Sequence, residues 1–294
     1  MPKQDITQQN NSSKIEEMAQ KGLAFGHKTA ALHPNMEPYV LGKRGQIHII
    51  DLSKTQEKIQ EAQDKLEKLA KNKKSILVVG TKVHLQKLVT DFVEELDLFY
   101  VNQRWIGGTL TNFKVISERV KHLQNLEKRK AQGKLKKYTK KEQLEFDREI
   151  ERLERKFGGL KDMKELPEAI IVLDMDKNKL AVDEARKEDI TTIALADTNI
   201  NPENIDYPVP VNDDAISAVS YVLERFKEAI KKGRQQQKKT SKKKSKKKSK
   251  KTSKKKSKKK SKKKPKKKSK EKPKKKTSAK KSSSKKKKTN KNKK

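Results

Sequence analysis

From Lys231 onward the chain has almost nothing with which to build a core. Residues 231–294 hold 39 basic residues against one acidic residue, Glu271, and no aliphatic side chain beyond Ala279. Burial cannot offset the loss of backbone entropy there, and like charges repel, so Ser-Lys-Lys-Lys units broken by Pro265 and Pro273 predict a disordered tail. As a flexible coil such a segment spans roughly 45 Å. Whatever folds must therefore come from residues 1–230, which carry 39 basic and 37 acidic residues and are nearly neutral. The net charge of +40 belongs to the tail. A polycation of that density points to a polyanionic partner and leaves the task of the body open.

The body alternates apolar strand-like runs with amphipathic helical stretches. Ile47-His48-Ile49-Ile50 reads as a first strand, and Asp51 or Ser53 can cap a helix to about residue 70, with Ile59, Ala62, Leu66 and Leu69 on one face. Ile76-Leu77-Val78-Val79 and Ala169-Ile170-Ile171-Val172-Leu173 are continuous apolar runs of the kind covered on both faces of a sheet. Helices are expected near 83–96, 179–187 and 214–231, and further strands at 98–101, 192–196 and around Val209. This order predicts a doubly wound, parallel α/β sheet. Residues 22–46 read as irregular, with several turn-forming glycines and prolines.

One segment breaks the alternation. Phe113, Ile116, Val120 and Leu123, then Phe146, Ile150, Leu153 and Phe157, form two narrow seams at heptad spacing. Gly133 lies between them, and Thr139 with Glu142 has the pattern of a capping box. An antiparallel helical hairpin inserted after the third strand fits, as a solvated arm or a docking arm. The expected organisation is an N-terminal arm (1–20), an α/β domain (21–110 and 158–230), the inserted hairpin (111–157) and the tail (231–294).

Little in the body resembles an active site. There are no cysteines, and the five histidines form no i, i+4 pair. No G-x-S-x-G, H-E-x-x-H, G-x-G-x-x-G or P-loop is present, so no catalytic residue and no cofactor are assigned. Gly80-Thr81-Lys82 follows a strand and is either an ordinary strand-to-helix turn or a phosphate-facing one, for which an RNA backbone would serve as well as a nucleotide. Asp174, Asp197 and Asp213 end strands and could hold a metal, although capping and turn formation are the routine roles of such aspartates. No apolar run approaches the roughly 20 residues that cross a bilayer, and the polar start shows no secretory signal, which leaves a cytoplasmic protein as the default.

The segment Val101-Asn102-Gln103-Arg104-Trp105-Ile106-Gly107-Gly108-Thr109-Leu110-Thr111-Asn112-Phe113 stands apart, because it concentrates the only tryptophan, an arginine, two glycines and several amides where strand meets hairpin. Either Arg104 grips a phosphate while Trp105 stacks on a base, or Trp105 anchors the hairpin and Arg104 pairs with a carboxylate. This segment resembles the signature of the bacterial-type small-subunit ribosomal protein S2 family. So do Gly22-Leu23-Ala24-Phe25-Gly26-His27-Lys28-Thr29 and the run from Pro167 through Asp197-Thr198-Asn199 to Asn212-Asp213-Asp214-Ala215-Ile216.

The resemblance implies a flavodoxin-like domain with an inserted coiled-coil hairpin. It implies a structural component of the small subunit that contacts its rRNA and neighbouring ribosomal proteins, joins late in assembly and helps hold the large mRNA-binding protein S1. Candidate RNA contacts are then His27, Lys28, Lys43, Arg44, Lys82, Asn102, Gln103, Arg104, Trp105, Thr111, Asn112 and Lys114. Two departures stand out. Ala30-Ala31-Leu32-His33 occupies a place where relatives often carry basic residues and a tryptophan, and the lysine tail is not part of the common pattern. The competing function classes are a nucleic-acid-condensing basic protein and a nucleotide-dependent α/β enzyme.

Overall fold

A computed structural model describes residues 13–237, so most of the expected arm and most of the expected tail lie outside the described residues. Five parallel strands form the main sheet: β4 (Ile76–Val79), β5 (Phe99–Val101), β6 (Ala169–Val172), β7 (Thr191–Ala196) and β8 (Tyr207–Pro210), in the spatial order β5-β4-β6-β7-β8. Counted from β4 this is 2-1-3-4-5, the flavodoxin-like order, whose switch point lies between β4 and β6. Val79 stands beside Val101 on one side and Val172 on the other, so these strands share one register at their carboxyl ends.

Side-chain alternation divides the core between the two faces. Ile76, Val78, Ile171 and Leu195 point to one face, where they meet α2 (Leu52–Lys71), α3 (Gln86–Leu96) and α7 (216–237). Leu77, Val79, Ile170 and Ala194 point to the other, under α4 (Phe113–Ala131), α5 (Lys140–Phe157) and α6 (Met175–Lys187). Both faces of β4 and β6 are buried, which is why those runs are apolar without interruption. Pro208 and Pro210 are tolerated because β8 is an edge strand.

The inserted hairpin is present as α4 and α5. Ile116, Val120, Leu123, Leu153 and Phe157 are buried in the same core as the sheet residues beneath them, so its base is part of the domain. The Thr139–Glu142 capping box forms as the spacing requires. Gly159, just beyond α5, lies against β5: a Cβ there would sit 2.2 Å from the Tyr100 carbonyl oxygen, so only glycine fits.

Three features differ from the sequence expectation. The run 47–50 is β3 (Ile47–Ile50), and it does not join the parallel sheet. It pairs antiparallel with β1 (Phe25–Lys28) and β2 (Val40–Arg44), both drawn from the segment expected to be irregular. Gly45, at φ +64°, makes the tight turn that returns β2 onto β3. In β3 the buried residues are His48 and Ile50, so a one-sided strand is disguised as a continuous apolar run by a histidine on its inner face. Second, the helical turn expected around Ile15–Met18 at the end of the arm is a longer helix over residues 13–20 (α1), and Met18 is fully buried in the first core, so this end packs with the body. Third, α7 continues through 237, into the segment expected to be tail. Its lysines are held by acids of the body: Lys227 and Lys231 by Glu95, and Lys232 by Glu67 at 2.8 Å.

Candidate nucleic-acid interface

The carboxyl ends of the strands are where this fold class admits ligands. In this chain that crevice is filled by its own side chains. Lys82, just after β4, is 8 % exposed, and its ammonium lies 2.8 Å from Asp213 Oδ1, 2.8 Å from Asp214 Oδ1 and 3.9 Å from Asp174 Oδ1. Burial alone would lower the Lys82 pKa, but the hydrogen bonds to Asp213 and Asp214 raise it above the usual lysine value. Burial pushes the Asp213 carboxyl up to about 6 against the pull of Lys82. Lys82 is therefore the centre of an internal ion-pair cluster, and its ammonium is turned inward rather than displayed. The preceding glycine has a packing role, since a Cβ on Gly80 would lie 2.8 Å from Val89 Cγ2 and 3.1 Å from Leu173 Cδ1.

The candidate metal ligands belong to the same cluster. Asp174 caps α6 by accepting from Lys177 N at 3.3 Å, and Asp213 holds Lys82. Asp197 accepts from Thr198 and lies 3.1 Å from His27 Nδ1. A cation already stands among these carboxylates, and no group of three or more His, Cys, Asp or Glu suited to a metal ion occurs among the described residues. Asn212 Oδ1 accepts from Asp214 N and Ala215 N, a turn that leads the chain into the last helix.

His27 couples β1 to this pole of the sheet. Its backbone N–H donates to Thr198 Oγ1 at 2.9 Å, and its half-buried ring faces Asp197 and, at 3.8 Å, Asp214. The hydrogen bond to Asp197 raises its pKa above the ordinary histidine value of 6.5. A raised histidine pKa gives stability that is fully present below 6.5 and lost as pH rises through the folded-state value. We expect the urea midpoint to fall as pH rises above about 6.5 and through the raised folded-state pKa, and to fall less in His27→Gln. Equal pH slopes in the two proteins would refute this coupling.

The loop from Asn102 to Asn112 is organised by a residue that sequence reasoning did not single out. Glu184 of α6 is 3 % exposed, and its carboxylate accepts from Trp105 Nε1 (3.1 Å), Gly108 N (2.8 Å), Leu110 N (2.9 Å), Thr111 N (3.3 Å) and Thr111 Oγ1 (3.3 Å). Burial would raise its pKa, yet these donors hold it below the usual carboxylate range. Gly108, at φ +84°, turns its N–H toward that carboxylate. Trp105 is 6 % exposed, so its indole serves as an anchor and its face is not open to a base. Arg104 does not make the carboxylate pair of that reading: it is exposed and has no hydrogen bond or ion pair within the described residues.

The other candidates separate cleanly. Lys28, Lys43, Arg44, Asn112 and Lys114 are exposed, and their side chains make no hydrogen bond or ion pair among the described residues. Thr111 is exposed but its hydroxyl is held by Glu184. Asn102 donates to Thr90 Oγ1 at 3.2 Å and Gln103 to Gln86 Oε1 at 3.4 Å, contacts that fix the start of the loop. The Arg104 loop and His27–Lys28 lie at the same end of the sheet, on opposite flanks of the Lys82 cluster.

A family model described as ribosomal protein S2 matches residues 18–233, about three-quarters of the chain. The chain belongs to the ribosomal protein S2 family. The S2 family supplies structural proteins of the small ribosomal subunit, and the match spans both sheets and the hairpin. Within this S2-family chain the signature residues divide by role. Trp105, Gly108 and Leu110, with Glu184 behind them, build the loop, while Arg104 and Asn112 are displayed on it. No helix among the described residues is long and apolar enough to cross a membrane.

Proposed function

We propose that the chain is an rRNA-binding structural component of the small subunit that joins late in assembly in the cytoplasm. Neighbouring ribosomal proteins, S1 among them, complete its contacts, and no small-molecule substrate is involved. The observation that carries the RNA-facing assignment is Arg104: an arginine without an internal partner, on a loop clamped by five hydrogen bonds to Glu184. A guanidinium presented on a rigid loop has lost little entropy to pay on docking and forms a bidentate contact with phosphate. Lys28, Lys43, Arg44, Asn112 and Lys114 extend the contact.

Co-sedimentation with small subunits in moderate salt tests the assignment, and a chain left in the supernatant while other small-subunit proteins pellet would end it. Arg104→Ala should lower incorporation about tenfold without changing the unfolding midpoint. Unchanged incorporation would remove Arg104 from the interface. Truncation after residue 237 should flatten the salt dependence of RNA binding and leave placement on the subunit intact, because lysine–phosphate contacts add affinity without sequence information. An unchanged salt slope would contradict that division of labour.

A further inference from the structure

The charge of the inserted hairpin is confined to its end. Residues 128–141 contain eight basic residues and no acidic one, whereas the two helical arms, 113–127 and 142–157, together contain seven basic and eight acidic residues. Of the eight, only Lys130 has a carboxylate partner, Asp147 at 2.8 Å. Arg129 is engaged internally, with its Nη2 3.0 Å from the Tyr138 hydroxyl and its guanidinium carbon 5.8 Å from the Phe146 ring centre. Lys128, Lys134, Lys136, Lys137, Lys140 and Lys141 are exposed and have no carboxylate partner among the described residues, Lys137 lying over the Tyr138 ring at 5.4 Å from its centre.

Folding does not account for these lysines. Those in the last turn of α4 sit well against the helix dipole. Lys140 and Lys141, however, occupy the first turn of α5, where a cation opposes it. The end is also built to hold its shape: Gly133 takes φ +67°, Leu135 is 6 % exposed, Tyr138 and Phe146 meet edge to face at 5.2 Å, and the capping box fixes the start of α5. Within 128–141 the large apolar groups are thus spent internally, and what faces outward is lysine; the nearest exposed large apolar side chain is the lone Leu144, one turn along α5. Protein interfaces are depleted in lysine and rely on aromatic or aliphatic anchors. Closely set ammonium groups without such anchors match a sugar–phosphate backbone.

We propose that the hairpin tip is a second, sequence-independent RNA-binding site, about 27 Å along the hairpin from the Arg104 loop. This rests on the assignment to the small subunit but not on Arg104. The chain lacks cysteine, so Gln132→Cys places a unique thiol at the exposed tip for a tethered iron–EDTA reagent on the full-length protein. In reconstituted small subunits the tether should cut rRNA at discrete positions. Replacing the six free lysines by glutamine should reduce the slope of log affinity against log salt by about four and leave the circular dichroism and Trp105 emission unchanged.

A chain that co-sediments with subunits but whose tether cuts no rRNA overturns the tip site and leaves the functional assignment standing. Cross-linking of the thiol to an acidic protein in place of RNA scission overturns it equally. A chain that fails to co-sediment at all refutes both.

Discussion

Glu184→Ala should destabilise the protein by about 3–5 kcal/mol and shift the emission of its only tryptophan to longer wavelength. The carboxylate satisfies Trp105 Nε1, three backbone N–H groups and one hydroxyl in a place where Glu184 itself is 3 % exposed. Removing it strands buried donors, and each stranded donor costs about 1–3 kcal/mol unless the loop opens to water. The loop is expected to open. Incorporation into small subunits should then fall as far as in Arg104→Ala, although Glu184 itself is buried beneath the loop. Denaturant unfolding and Trp105 emission check the first part. A loss under about 1 kcal/mol would mean that the loop is held by other contacts.

Lys82→Met should cost about 3–5 kcal/mol near neutral pH, because it leaves Asp213 and Asp174 as uncompensated buried charges. The sign of the pH effect follows from Asp213. Its folded-state pKa of about 6 already lies above the ordinary aspartate value of 3.8, so ionising it in the folded protein is costly, and removal of the ammonium raises it further. The variant should therefore recover stability as pH falls toward about 5, where the carboxyl takes up a proton, and Lys82→Met combined with Asp213→Asn should be less damaged than Lys82→Met alone. A loss independent of pH would show that Lys82 contributes through packing of its alkyl stem rather than through its charge.

The parts of the fold that were legible in the sequence are those in which one periodicity dominates. Ile76–Val79 and Ala169–Val172 announce buried parallel strands because both faces are covered, and the heptad seams announce α4 and α5 because only a narrow stripe is apolar. The antiparallel sheet was not legible. His48 takes an inward position that pattern reading reserves for an aliphatic residue, and β1 and β2 lie among turn formers. At the interface, Arg104 and Trp105 were visible as a pair, but their opposite orientations follow from Glu184, nearly eighty residues further along the chain. The one available signal was the pairing of a glutamate with Ala181 and Ala185 on the buried side of α6, since a carboxylate facing a core needs a cluster of donors. The ion pairs of Lys82 were hidden for the same reason: the aspartates that hold it follow other strands, and adjacency in space cannot be counted along a sequence.

Helix α7 also decides how the protein bears force. It starts beside Asp213 and Asp214 at the carboxyl ends of the strands, runs through 22 described residues, or about 33 Å, and ends near Ser75, Ile76 and Phe99 at the opposite edge of the sheet. There Gly233 lies so close to α2 that a Cβ would be 2.4 Å from the Glu67 carbonyl oxygen, and Lys231 and Lys232 are tied to Glu95 and Glu67. Tension applied through the chain beyond residue 237 is thus delivered to the rear edge of the domain, into a helix clamped along its length, and the Arg104 loop carries none of it. A bulky fusion at the carboxyl end should load the same anchor and leave the loop at its working geometry.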